Sequence, residues 1–256
     1  MRARIPSAIG RSGLTLLGAV LLVCCRAPVE PEVGAEAQSR PERRPSVAER
    51  VREFKKSIPG AEIELDESGS RVTLMQRLRS PVSSTSAEDI ARSVLRVPAV
   101  GDALGLSRDL HELCAPVSRR DPQVESYAVV RMQQCVGAVK VLGAELVMNV
   151  QLGPTPAVET LLSSLVPDAP QQATPAIDPE AAFTTAAAAV RAQEPKGRAP
   201  AAMAASRTAA ELVIFAPARY QIDGPTRLCW LVRVDRTTVL VDAITGSVVH
   251  QFPDGI

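Results

Sequence analysis

Two histidines, His111 and His250, are all that the 256 residues offer as imidazole ligands or bases, and they lie far apart in the chain. A zinc peptidase of the HExxH kind needs two imidazoles one helical turn apart with a glutamate base, so that one helix face presents both to one metal. His111-Glu112-Leu113-Cys114 follows the first two letters of that motif and then carries cysteine in the fourth place. The surrounding residues have a strand pattern, which makes His111 an ordinary surface histidine at a strand start. Cys114, Cys135 and Cys229 lack the short CxxC spacing of zinc ligands. Each falls in or beside a strand pattern, where cysteine serves as a small buried hydrophobe. There is no GxSxG elbow and no phosphate-binding glycine loop; Gly137 and Gly143 bracket a strand turn and need only their backbone freedom. These residues lead us to expect no catalytic group, no metal and no cofactor.

Charge narrows the partners. Lys plus Arg number 29 and Asp plus Glu 28, so no long-range field draws the chain to nucleic acid or to an anionic membrane. The N-terminus points to export: Arg2, Arg4 and Arg11 precede an uncharged apolar run over residues 12–25 that is too short to span a bilayer as a helix. Leu22-Val23-Cys24-Cys25 resembles a bacterial lipoprotein box, which implies a signal peptide over 1–25, lipidation at Cys25, and an envelope or extracellular protein that meets the membrane through a lipid anchor only. The alternative is an ordinary secretory signal cut after Ala35-Glu36-Ala37. Residues 26–45 hold four prolines and many charges, the composition of a disordered tether. In an oxidising compartment the three remaining cysteines allow one disulfide and one leftover thiol, and the sequence does not select the pair.

The elements that position these residues follow from local pattern. Ser46 and Glu49 form a capping box ahead of Val47, Val51, Phe54 and Ile58 at helical spacing. After Pro59-Gly60, residues 61–78 alternate around Ser68-Gly69 as a hairpin. Ser86 with Asp89 opens a second helix bearing Ile90 and Val94, which Pro98 is expected to end. Strand patterns occupy 113–117, 127–134 and the stretch to Gln151, followed by a proline-rich passage over 153–179. Asp178-Pro179-Glu180 is a helix start, with a cap residue, proline in the first turn and an acid at the positive dipole end. That helix runs to about Gln193, Pro195 begins a linker, and strands follow at 212–215, 228–235, 238–243 and 247–251. The fold class is α+β: two small domains over 46–166 and 175–252, each an antiparallel sheet packed with one or two helices.

VRMQQCVGAVKVLGAELVMNV, over residues 130–150, resembles the central strand pair of the FTP domain, the first half of the propeptide of thermolysin-like and fungalysin metallopeptidases. Arg131, Gln133, Gln134, Val139, Val141 and Gly143 fall on family positions. Ala138 stands where the family usually has glycine, and Lys140 where it usually has proline. Residues 178–182, 228–234 and 241–249, with Trp230, Asp242 and Gly246, resemble the PepSY domain that follows in the same propeptides. The resemblance implies a non-catalytic module that binds a thermolysin-like metallopeptidase and inhibits it or assists its folding. A peptidase domain would begin after the last hairpin in the family, and none appears before Ile256. The other readings are a surface lipoprotein that serves as a scaffold, and a fragment of a peptidase precursor. For side-chain roles, we expect one of Gln133 and Gln134 to face solvent and the other to bond inside the sheet. Trp230 should lie in the core, and Asp242 should stabilise the turn that follows it.

Overall fold

The computed structural model describes residues 45–167, 169–170, 174–193 and 210–253. The expected signal peptide, the expected lipidation at Cys25, the expected tether up to residue 44 and the 195–200 linker fall on residues outside those described.

Helix α1 (Val47–Ser57) starts as its capping box dictates: Glu49 N–H donates to Ser46 Oγ at 3.3 Å, and Ser46 N–H donates to Glu49 Oε2 at 2.6 Å. Helix α2 (Ala87–Leu95) is capped by Ser86, which accepts from Asp89 N–H. Pro98 does more than end α2. Its fixed φ suits the first position of a helix, and with Val97 extended ahead of it Pro98 opens α3 (Pro98–Leu104), which stops at the left-handed Gly105. The first half therefore carries three helices. Helix α4 (Pro179–Gln193) opens on Asp178, whose Oδ1 accepts from Ala181 N–H at 2.8 Å.

The strands are β1 (Glu62–Leu65), β2 (Val72–Arg79), β3 (Val117–Arg120), β4 (Tyr127–Val136), β5 (Val139–Gln151), β6 (Ala157–Ser163), β7 (Glu211–Phe215), β8 (Arg227–Val234), β9 (Thr237–Asp242) and β10 (Val248–Pro253). All ten belong to one sheet whose spine is β5. Antiparallel β4 lines one edge of β5, with β3 outside it. The other edge is shared: β6 pairs with residues 146–151, and β7 runs parallel to Lys140 and Val141. Strands β2 and β1 continue outward from β6, and β8, β9 and β10 from β7. The two antiparallel halves anticipated from sequence thus join on a single strand. Strand β6 occupies the interior of the first half, within the passage that its prolines marked as a break. Pro154 and Pro156 sit just ahead of the strand, where a missing N–H costs no rung of the ladder.

Each half buries its own apolar face. Helices α1–α3 cover Met75, Met132, Leu146, Met148 and Leu161, with Phe54 and Ile90 pointing down from the helices. In the second half Ala182 and Ala186 of α4 meet Ile214, Trp230, Val232, Val239 and Val241. A smaller cluster of Val213, Phe215, Cys229 and Leu240 forms with Tyr220, from the 3-10 turn Pro217–Tyr220, and with Phe252. Fully burying one large aliphatic or aromatic side chain stabilises by about 1.5–3 kcal/mol, so both cores contribute substantially. No helix among the described residues is long and apolar enough to cross a membrane.

Candidate functional site

The stretch 130–150 that carries the family resemblance is the β4–β5 hairpin, and its register is irregular. Gln133 faces Glu145, yet two residues later Cys135 faces Lys140, so β5 carries a bulge opposite Gln133 and Gln134. The Gln133 side chain fills it: Nε2 donates to Val141 O at 2.6 Å and to Ala144 O. Gly143 sits in the bulge at φ +71°, and a Cβ there would lie 2.9 Å from Tyr220 Oη. Glycine is required both for the left-handed backbone and for the close approach of the 3-10 turn.

Gln134 is 7% exposed. Its Nε2 donates to Val166 O at 2.8 Å, and its Oε1 accepts from Val166 N–H at 2.8 Å. One amide thus replaces a rung of sheet and ties the segment after β6 to β4. Sequence reasoning placed one of this glutamine pair in solvent; both are bonded inside the sheet. The reason is the bulge, which frees backbone groups that only side chains can reach.

Cys114 pairs with Cys135 across a Cα separation of 5.7 Å, beside the bonds Cys114 N–H to Gln133 O and Cys135 N–H to Glu112 O. The leftover thiol is Cys229, fully buried. Burial and the nearby Asp242 charge push its pKa up to about 12, which removes its nucleophilicity at neutral pH.

These features frame a cleft of about 940 Å³ between α1, the end of α3, the segment holding His111, the end of β4 and the chain after β6. Arg50, Glu53, Leu106, His111, Gln134 and Val166 are among its lining residues. Glu112 on the wall is already engaged, accepting from Ser107 N–H at 3.0 Å and from Ser107 Oγ at 2.6 Å. His111 is exposed on the rim, with Nδ1 3.0 Å from Asp109 and Nε2 3.5 Å from Glu112. The hydrogen bond to Asp109 and the Glu112 charge raise its pKa. Among the described residues no group of three or more His, Cys, Asp or Glu is placed to hold a metal.

The remaining residues that the sequence resemblance singled out are distributed. Arg131 is exposed and pairs with Glu145 at 3.2 Å, Val139 pairs with Val136 at the hairpin tip, and Val141 is fully buried. Trp230 is 8% exposed, and its Nε1 donates to Ile177 O at 3.0 Å. Asp242 organises the β9–β10 turn: Oδ1 accepts from the N–H groups of Ile244 and Thr245, both at 2.9 Å, and Oδ2 lies 3.5 Å from Arg227 Nη1. Burial pushes its carboxyl up, but those donors and the Arg227 charge outweigh it and the net shift is downward. Gly246 completes the turn at φ +74°. The bulge brings Gln133, Gln134, Val141 and Gly143 together; Trp230, Asp242 and Gly246 lie in the second half, apart from the cleft. The cleft itself carried no signal in the sequence, because five separate segments build it.

An α+β module with a preformed cleft is the class these elements define. No family model matches the chain, and no curated protein matches it. Among solved structures, the Bacillus megaterium YpeB C-terminal domain overlaps 81% of this chain and 95% of that one, with a TM-score of 0.30 and 12% identity.

Proposed function

We propose that this chain is an exported, non-catalytic binding module that engages a thermolysin-like metallopeptidase, inhibiting it or assisting its folding. The observation that carries the reading is the cleft of about 940 Å³, whose shape is set before any partner arrives. The Cys114–Cys135 disulfide fixes one wall, and the Gln134 amide bonded to Val166 fixes the floor. A preorganised surface is what a chain without chemistry of its own needs to bind well, since little ordering entropy remains to be lost on contact. The resemblance of residues 130–150 to a propeptide strand pair supports the choice of partner.

The test is to mix the purified protein with exported thermolysin-like metallopeptidases. Peptidase activity, refolding yield and complex formation by size-exclusion chromatography are then measured. Stoichiometric inhibition or an increased refolding yield is expected. Failure to form a complex with any of them overturns the peptidase reading, and capture of other envelope proteins instead would favour the scaffold.

A further inference from the structure

Next to the cleft lies a much smaller pocket, about 40 Å³, between α1, the turn ahead of β2, the start of the loop after α3 and the end of β6. Arg50, Ser70, Arg71, Gly105 and Ser163 line it. A buried water needs on the order of 10–15 Å³, so the space suits about three waters or one four-oxygen anion.

Two guanidinium groups and two hydroxyls are among its lining side chains. Arg50 Nη1 donates to Asp102 O at 3.0 Å, but its Nε is buried with no hydrogen-bond partner among the protein groups. A buried donor left unmatched is costly, and native structures rarely retain one without a use for it. Arg71 binds Asp66 Oδ2 through Nε at 3.1 Å, which leaves both Nη groups unbonded among the described residues. Ser163 Oγ likewise has no hydrogen-bond partner there, whereas Ser70 Oγ is held by Asp66 and Ser68. Asp66 offsets one of the two guanidinium charges. Arg50 also lines the larger cleft beside Glu49 and Glu53, while burial together with the Arg71 charge lowers the pKa of a third guanidinium, Arg219. Guanidinium groups present planar N–H forks whose geometry matches oxyanions.

We propose that the pocket bounded by Arg50, Arg71 and Ser163 binds a compact oxyanion of phosphate or sulfate size, either free or as the terminal group of a larger molecule. Arg50, Arg71 and Ser163 line the space from three different segments, α1, the turn ahead of β2 and the end of β6. Donor-bearing side chains on three segments suit an oxyanion with several oxygens, which can accept from more than one of them. The proposal needs no peptidase, so it stands or falls separately from the reading above.

The experiment titrates the full chain with sodium phosphate at constant ionic strength, following the thermal midpoint and the 31P resonance. A saturable rise in midpoint with matching 31P broadening is expected, and Arg50→Gln weakens the apparent affinity about tenfold, the equivalent of one lost charge-assisted contact. Glycerol 3-phosphate in place of phosphate separates the two sources: tighter binding identifies a carried phosphate, equal or weaker binding a free one. A response that chloride reproduces at the same ionic strength overturns the proposal, as does Arg50→Gln titrating like the parent. If Arg50→Gln fails to fold, Ser163→Ala carries the test, with about threefold weaker binding expected and unchanged affinity overturning the site.

Discussion

The two halves of the sheet solve one packing problem with different residues. The first buries Met75, Met132, Met148, Leu146 and Leu161 beneath three helices, a core of long side chains. The second buries Val232, Val239 and Val241 beneath one helix that presents Ala182 and Ala186. Long, flexible side chains fill the irregular space under several short helices. Alanines let a single helix settle close on a layer made largely of β-branched residues around Trp230. The first half is therefore vulnerable to losing volume and the second to gaining it.

Leu161→Ala breaks that comparison with the largest effect. It leaves a cavity under α2 and is expected to cost about 2–5 kcal/mol by urea unfolding. Ala186→Leu is the converse test. Overpacking under α4 is expected to cost about 1–3 kcal/mol, whereas leucine at an exposed helix position would be nearly neutral. Gln134→Leu keeps the approximate volume and strands the N–H and C=O of Val166; a loss of about 1–3 kcal/mol is expected, with faster hydrogen exchange at Val166.

The smallest effect sharpens a likeness between the halves. Asp66 holds the β1–β2 turn much as Asp242 holds the β9–β10 turn. Each takes two backbone N–H groups on Oδ1 and an arginine on Oδ2. Burial opposes ionisation in both, and the bonds overcome it, so both folded pKa values lie below the ordinary carboxylate range. A depressed folded pKa contributes stability above the unfolded value of about 4 and loses it as pH falls through the folded value. Asp242→Asn should therefore cost about 1 kcal/mol at pH 7, and in thermal melts the gap to the parent should begin to narrow near about pH 4 and close only once pH falls below the folded value.

Local signals were legible in the sequence. Ser46 with Glu49 and Asp178 with Pro179 announce helices because a cap and its partner lie within one turn. The alternation over 228–235 announces β8 and its buried Trp230. Proline was legible only in part: Pro98 marks the end of α2 as expected but also opens α3, and Pro154 read as a break although the residues just ahead of a strand tolerate it. Long-range matches were illegible for a different reason. The choice of Cys135 over Cys229 as partner for Cys114, the bond from Gln134 to Val166 and the closeness of Arg50 to Arg71 depend on how distant segments meet. No spacing rule encodes those meetings, and the cleft and the small pocket depend on them.

The shared strand β5 has a consequence for dissection by truncation. A chain cut in the proline-rich connection would separate two blocks of sequence without yielding two finished surfaces. The leading fragment would keep Lys140 and Val141 with one side of their ladder unpaired, an adhesive edge that invites strand exchange with its neighbours. The trailing fragment would lose the Val141 and Ala144 side chains that its apolar layer packs against. Mixed together, the two fragments should reassemble on β5 as complementing pieces, while either alone should self-associate.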